Sequence, residues 1–491
     1  MNIVSGARAM LEPLLRKALD DLQAGRYRSG HSHALSALRL APTQAKPVLE
    51  LLRLLNFVCE PDAALTLLRD TEIGAWTTTA VLEAAMIASN CGGHVLAERL
   101  CANALAQDPE SALAHYIDAT LSLFAGRTEY ARQAIERALA RAPAMSQAWW
   151  VLSQLGGATS DQIAQLRLLL KSVPRNSSDA IQLSFAAHHL LHEQGDHADA
   201  WHALERGCAA KRAQLRYEHA AEIALLERIA AQCAARFCRT NAHAAPRGGP
   251  VFIIGMHRSG TTLLEQLLAG HSQIEPLGET YRFAAQLRLA ADHHCAGVLD
   301  AHIAQHAAQF DFGAIGAGYL AGVLGATQGK AYWTEKLPSN FVALGYIAKA
   351  LPQAKFLHLV RDPRDLCFSN LRMLFSNVNG YSYEQLQLSE FHRAYRGLMR
   401  HWHTVLPGRI CDVAYAQLAA EPATTLRRVC MHLGVEFEPS MLTPAASRHS
   451  VSSASAAQVR GRIRPSGAQW QYYETQLQPL LQRLAASTIA P

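Results

Sequence analysis

The chain has 491 residues, 49% hydrophobic and 18% charged, with a formal net charge of +6. That length exceeds what one hydrophobic core usually supports, so two domains are expected, and the apolar content excludes a largely disordered chain. The small net charge excludes a dedicated nucleic-acid binder but suits one basic pocket for an anionic small molecule. Ten cysteines stand singly, Cys233 and Cys238 being the closest pair, with no CxxC and no Cys/His ligand spacing; reduced cytosolic thiols are the simplest reading. The first residues run into an amphipathic stretch rather than an apolar signal core, and nothing approaches about eighteen uninterrupted apolar residues. No membrane span and a cytoplasmic location are therefore expected.

The first half is rich in Ala and Leu and repeats. Pro42, Pro109, Pro143 and Pro174 each close a helical stretch, and 17 residues upstream of each stands a glycine: Gly25, Gly92, Gly126 and Gly157. The step from Pro109 to Pro143 is 34 residues. A glycine suits the tight turn where one helix hands over to the next, because it enters left-handed backbone without a Cβ penalty. Ala37, Ala104 and Ala138, five residues before three of the prolines, let neighbouring helices approach closely. The pattern resembles the tetratricopeptide repeat over roughly residues 8–238, with Thr43–Trp76 as a degenerate copy. The resemblance implies an all-α solenoid over residues 1–240, whose concave surface would hold an acceptor peptide or protein; the other reading is a scaffold or dimerisation arm that never touches substrate. Residues 241–250, rich in Pro and Gly, read as a linker.

Val251–Ile254 then has the apolar, β-forming character of a buried parallel strand and leads into Gly255-Met-His-Arg-Ser-Gly260-Thr-Thr262. Helical spacing resumes from Leu263. Strand, glycine loop and helix together aim backbone N–H groups and the helix dipole at an anion. A nucleotide kinase would carry Lys where Thr261 stands, to reach the β- and γ-phosphates. A second block, Phe356–Val360 followed by Arg361-Asp-Pro-Arg-Asp-Leu-Cys-Phe-Ser369, repeats the strand-turn-helix plan, with Pro363 in the first turn. Two helical turns carry Ser369 back over the face where Arg361 sits. Between the blocks lie Pro276-Leu-Gly-Glu279-Thr-Tyr-Arg282, with Glu275 as a nearby decoy carboxylate, and Thr334-Glu-Lys336-Leu-Pro-Ser-Asn340-Phe. Val413-Ala-Tyr415 and the late stretch Ser455-Ala-Ala-Gln-Val-Arg460 follow.

These ordered blocks, about residues 250–475, resemble sulfotransferases, above all the tyrosylprotein sulfotransferases and their repeat-containing bacterial relatives. The resemblance implies an α/β, P-loop-like domain at 251–491 with a central parallel sheet. It implies 3′-phosphoadenosine 5′-phosphosulfate (PAPS) as co-substrate, with no metal. Arg258, Ser259, Gly260, Thr261 and Thr262 would hold the phosphosulfate, and Arg361 and Ser369 the 3′-phosphate. Tyr415 would lie against the nucleotide, with Ser455 and Arg460 in a lid; which of Arg460, Arg462 and Arg464 reaches the nucleotide stays open. Glu279 would be the base, and Lys336 with Arg258 would stabilise the departing oxygen. A peptide tyrosine is the favoured acceptor, with a carbohydrate, lipid or small phenol open, and a homodimer is in keeping with the family. The rival readings are a repeat-based adaptor with an inactive transferase domain and a nucleotide-dependent kinase. His293, His294, His302 and His306 read as a helix face lining the acceptor cleft or solvent rather than as a metal site.

Overall fold

The computed structural model describes residues 2–238, 248–443 and 467–488. Most of the expected linker at 241–250, together with Ser455, Arg460, Arg462 and Arg464, lies outside the described residues. The chain divides into two compact units, Met1–Pro143 with Tyr281–Asp311, and Ala144–Thr280 with Phe312–Pro491. Among the described residues no helix is long and apolar enough to cross a membrane.

The first unit is helical. Asn2–Gln23 packs on Tyr27–Leu38, Ala45–Phe57 on Pro61–Asp70, Thr78–Asn90 on His94–Gln107, and Ala112–Phe124 on Thr128–Arg141. Three of the four turns between partners are made at Gly25, Gly92 and Gly126, with φ of +77°, +83° and +78°. The fourth falls in the degenerate copy, where Cys59, 34 residues beyond Gly25, takes φ +61° in place of a glycine. Ala37, Ala104 and Ala138 are wholly buried, as close helix approach demands. The inserted segment Tyr281–Asp311 packs on these helices. Arg282 holds both carboxylate oxygens of Asp62 at 2.9 and 3.1 Å, and the His294 ring stacks on Phe57 at 4.2 Å. His293 bonds Asp300 at 2.7 Å and stacks against His302, which in turn lies beside His306.

The second unit opens with helices from Ser146–Leu155 to His219–Gln232 and continues into a five-stranded sheet. Its strands are β1 (Gly249–Ile254), β2 (Ile274–Pro276), β3 (Tyr332–Glu335), β4 (Lys355–Val360) and β5 (Ile410–Ala414). They lie in the order β2-β3-β1-β4-β5, every pair parallel, so the expected central parallel sheet is present. Both faces of β1 are covered, which is why its residues read as one unbroken apolar run. Val251 and Ile253 pack with Leu263, Leu264 and Leu267 of the following helix, while Phe252 meets Phe356 and Tyr319 on the other face. From β1 the chain turns toward the β2 edge, and from β4 toward the β5 edge. The crevice between the ends of β1 and β4 is thus a topological switch point, where parallel sheets receive ligands.

Candidate active site

The loop leaving β1 enters the crevice with three left-handed residues in six: Gly255 (φ +153°), Arg258 (φ +69°) and Gly260 (φ +107°). Left-handed backbone costs energy at Arg258, which has a Cβ, and such strain clusters where function fixes the backbone. Gly260 caps helix Thr261–Leu268, and a Cβ there would lie 2.4 Å from Cδ2 of Tyr415, so only glycine lets the loop pass under that ring. Ser259 is fully buried, and its hydroxyl has no hydrogen-bond partner among the described residues. A buried hydroxyl without a partner is costly unless a ligand supplies one.

Helix Pro363–Leu371, started by the side chain of Asp362 accepting from Arg364 N, brings the second block to the same place. Arg258 Nε donates to Ser369 Oγ at 3.2 Å, Arg361 donates to the carbonyl of Arg258 at 2.9 Å, and the Arg361 guanidinium lies 4.9 Å from the centre of the Tyr415 ring. Arg258, Ser259, Gly260, Arg361, Ser369 and Tyr415 are therefore one cluster; Thr261 and Thr262 are buried in the first turn beneath it. Desolvation, together with the charges of Arg361 and Arg372, lowers the Arg258 pKa to about 10. Cations crowded together and partly desolvated favour the binding of an anion. The cluster fits a ligand carrying phosphate or sulfate groups.

Arg372 is a member that sequence reasoning missed. It is buried, with its own pKa lowered to about 10 by desolvation, and donates to Gln469 Oε1 at 2.5 Å and to His189 Nδ1 at 3.0 Å. His189 Nε2 faces the Arg372 carbonyl at 3.0 Å. A carbonyl can only accept and a guanidinium can only donate, so His189 is the neutral tautomer with hydrogen on Nε2. Burial and the Arg372 charge hold its pKa well below the ordinary histidine range, consistent with that assignment.

Beside the cluster, Lys336 at the end of β3 forms an ion pair with Glu279, Nζ to Oε1 being 2.6 Å. Lys336 is 2% exposed at its side chain and Glu279 33%, so the ammonium is fixed and the carboxylate faces the open side. The backbone around the pair is pinned from three directions. Lys336 N donates to the Gly278 carbonyl at 2.9 Å, Gly278 N donates to Glu265 Oε1 at 3.1 Å, and Gly255 N donates to the Pro338 carbonyl at 3.2 Å. Glu265, on helix Thr261–Leu268, also accepts from Thr334 Oγ1 at 3.1 Å, and burial raises its pKa to about 7. The signal for it was present: a carboxylate inside the apolar run Leu263-Leu-Glu-Gln-Leu-Leu268 has to answer a buried donor. His257 interacts electrostatically with both groups. Desolvation lowers its pKa to about 4 while Glu279 acts against that shift and Lys336 and Arg258 add to it. Glu275, the decoy, pairs instead with Lys330 at 2.9 Å. Tyr381, Tyr383 and Tyr395 are buried packing groups, Tyr381 stacking on Phe391 at 3.6 Å.

Residues 250–439 match the model of the sulfotransferase family. An uncharacterized protein of Aquifex aeolicus (strain VF5) is 27% identical over 344 residues, covering 67% of this chain and 44% of that relative. A provisionally named protein-tyrosine sulfotransferase of Caenorhabditis briggsae is 26% identical over 196 residues, covering 39% of this chain and 68% of that protein. The chain thus spans less than half the length of the first relative and about two thirds of the second. Among solved structures, the sulfotransferase domain of the Synechococcus PCC 7002 olefin synthase aligns at 22% identity over 52% of this chain and 99% of that domain, with a TM-score of 0.35. The segment from 250 to 439, which holds the glycine loop, the Glu279–Lys336 pair and the Arg361 block, is thus the part of the chain that is similar to the sulfotransferase family.

Proposed function

We propose that the second unit transfers a sulfuryl group from PAPS to an acceptor hydroxyl, with a tyrosine side chain in a peptide as the acceptor class. The observation that carries this is the convergence of the half-buried Arg258 and Arg361 guanidiniums and the buried Arg372 on a glycine loop that lacks the kinase lysine, next to a lysine already paired with a carboxylate. The 5′-phosphosulfate is assigned to the backbone of Arg258–Thr262 and to the unpartnered Ser259 hydroxyl, and the 3′-phosphate to Arg361 and Ser369, with Arg372 adding charge. Tyr415, which lies against Arg361, is assigned to flank the nucleotide. Ser455 and Arg460 keep the lid role that the family resemblance gives them, and the helical repeats are assigned to holding the acceptor peptide.

In the reaction the acceptor oxygen attacks sulfur, its proton passes to Glu279, and the bond from sulfur to the bridging phosphate oxygen breaks with its electron pair leaving on that oxygen. Protonation cancels the charge on Glu279 and so frees the Lys336 ammonium from its ion pair. It is released as negative charge builds on the departing oxygen, where a preorganised cation is most effective. Arg258 shares that duty.

Calorimetric titration with 3′-phosphoadenosine 5′-phosphate in the absence of Mg²⁺ tests the reading. Micromolar binding by the wild type, weakened at least about tenfold in Arg361→Ala, is expected, since a hydrogen bond to a charged group is worth about 1.5–3 kcal/mol. Failure of the wild type to bind would overturn the assignment.

A further inference from the structure

At the β5 edge of the sheet three ligating side chains converge that sulfuryl transfer does not use. They are His358 on β4, Asp412 on β5 and His403 on helix Gln385–Val405. His358 and Asp412 are register partners on adjacent parallel strands, so both side chains leave the same face of the sheet. Asp412 Oδ1 lies 2.7 Å from His358 Nδ1 and 3.1 Å from His403 Nε2, and one ligand atom from each residue falls within 4.8 Å of the others. His358 is buried, while His403 and Asp412 are 41% and 50% exposed, so the cluster has a fixed floor and an open mouth. The remaining ring nitrogen of His358 meets the buried Tyr395 hydroxyl, the kind of outer partner that orients a metal-binding imidazole.

We propose that His358 Nδ1, His403 Nε2 and Asp412 Oδ1 form a three-ligand site for a divalent transition-metal ion of the zinc class, with water in the fourth, outward position. Zinc bonds of about 2.0–2.2 Å to nitrogen and oxygen in a tetrahedron set ligand atoms about 3.3 Å apart. The two spacings to Asp412 Oδ1, 2.7 and 3.1 Å, fall short of that by about 0.6 and 0.2 Å, and the exposed Asp412 and His403 side chains have room to open. Both imidazoles then carry their ring hydrogen on the nitrogen facing away from the metal, toward Tyr395 in the case of His358. His358 stands three residues before Arg361 and Asp412 three before Tyr415, so the ion would tie together the two strands whose ends carry the stacked Arg361–Tyr415 pair.

The test uses the full chain stripped with a chelator and titrated with Co²⁺, read by the visible absorption of tetrahedral cobalt, and with Zn²⁺ by calorimetry. One equivalent is expected to bind. His403→Gln and Asp412→Asn keep a hydrogen-bonding group, so both variants should fold, as circular dichroism will check, yet each should bind at least about tenfold more weakly. At the same Zn²⁺ concentration the melting temperature of the wild type should rise clearly more than that of either variant. No binding by the stripped wild type, or an unchanged affinity in either variant, would overturn the site.

Discussion

Glu279 and Lys336 stand 57 residues apart in the chain and 2.6 Å apart at their charged atoms. If proton uptake by one releases the other, the two act as a unit, and their effects will not add. Glu279→Ala and Lys336→Ala are each expected to lower turnover by about a hundredfold or more, the scale of a positioned base or electrophile. The double variant should be no slower than the slower single one. Single-turnover rates with saturating PAPS measure this, and a double variant as slow as the product of the singles would show that the residues work independently. That Ser369 returns over the face of Arg361 was an expectation of the sequence, because two helical turns separate it from the end of β4; the contacts of Arg258 with both were not. Arg372 was not: three residues past Ser369, it reads as an ordinary helix end, and only tertiary packing against His189 and Gln469 buries it.

At the scale of elements, the glycine loop works because nothing projects from Gly260. Gly260→Ala would need a residue with a Cβ to hold φ +107° and would set that Cβ 2.4 Å from the Tyr415 ring. The ring must then move, and Arg361 with it, while the sheet beneath keeps its packing. The expected result is at least about a tenfold loss of affinity for 3′-phosphoadenosine 5′-phosphate at a nearly native circular dichroism spectrum. Equal affinity in wild type and variant would show that the loop–Tyr415 contact does not shape the site. The same property of glycine made the helix turns legible at Gly25, Gly92 and Gly126. It left the intervening turn unread, because at Cys59 the fold imposes left-handed backbone on a residue that does not advertise it. The placement of Tyr281–Asp311 with the N-terminal helices was equally hidden. It depends on pairs such as Arg282 with Asp62, 220 residues apart, which no local pattern announces.

Across the whole second unit, burial of titratable groups gives stability a definite pH dependence. Desolvation holds His188 and His189 well below the ordinary pKa of 6.5, lowers His192, His257 and His392 to about 4, and lowers His432. Between about pH 4 and 6.5 the unfolded chain binds protons at these positions that the native state refuses, so stability rises with pH through that window. Glu222 and Glu265 act oppositely. Burial raises both from 4.5 to about 7, the native state holds the extra protons, and stability falls as pH rises between those values. Six imidazoles oppose two carboxyls where the windows overlap, so the histidines dominate up to about pH 6.5 and only the carboxyls act from there to about 7. Asp362 and Asp412, whose pKa is lowered, lose their contribution only below the ordinary value of 3.8 and leave this window untouched. The midpoint of urea unfolding is therefore expected to rise by about 1 M between pH 5 and pH 6.5 and then to flatten or dip. Glu265→Gln, which keeps an acceptor for Gly278 N and Thr334 and cannot ionise, should weaken the dip and leave the acid-side rise in place. A midpoint that fell steadily from pH 5 upward would mean that the buried histidines are charged in the native protein, and the neutral tautomer assigned to His189 beside Arg372 would have to be abandoned.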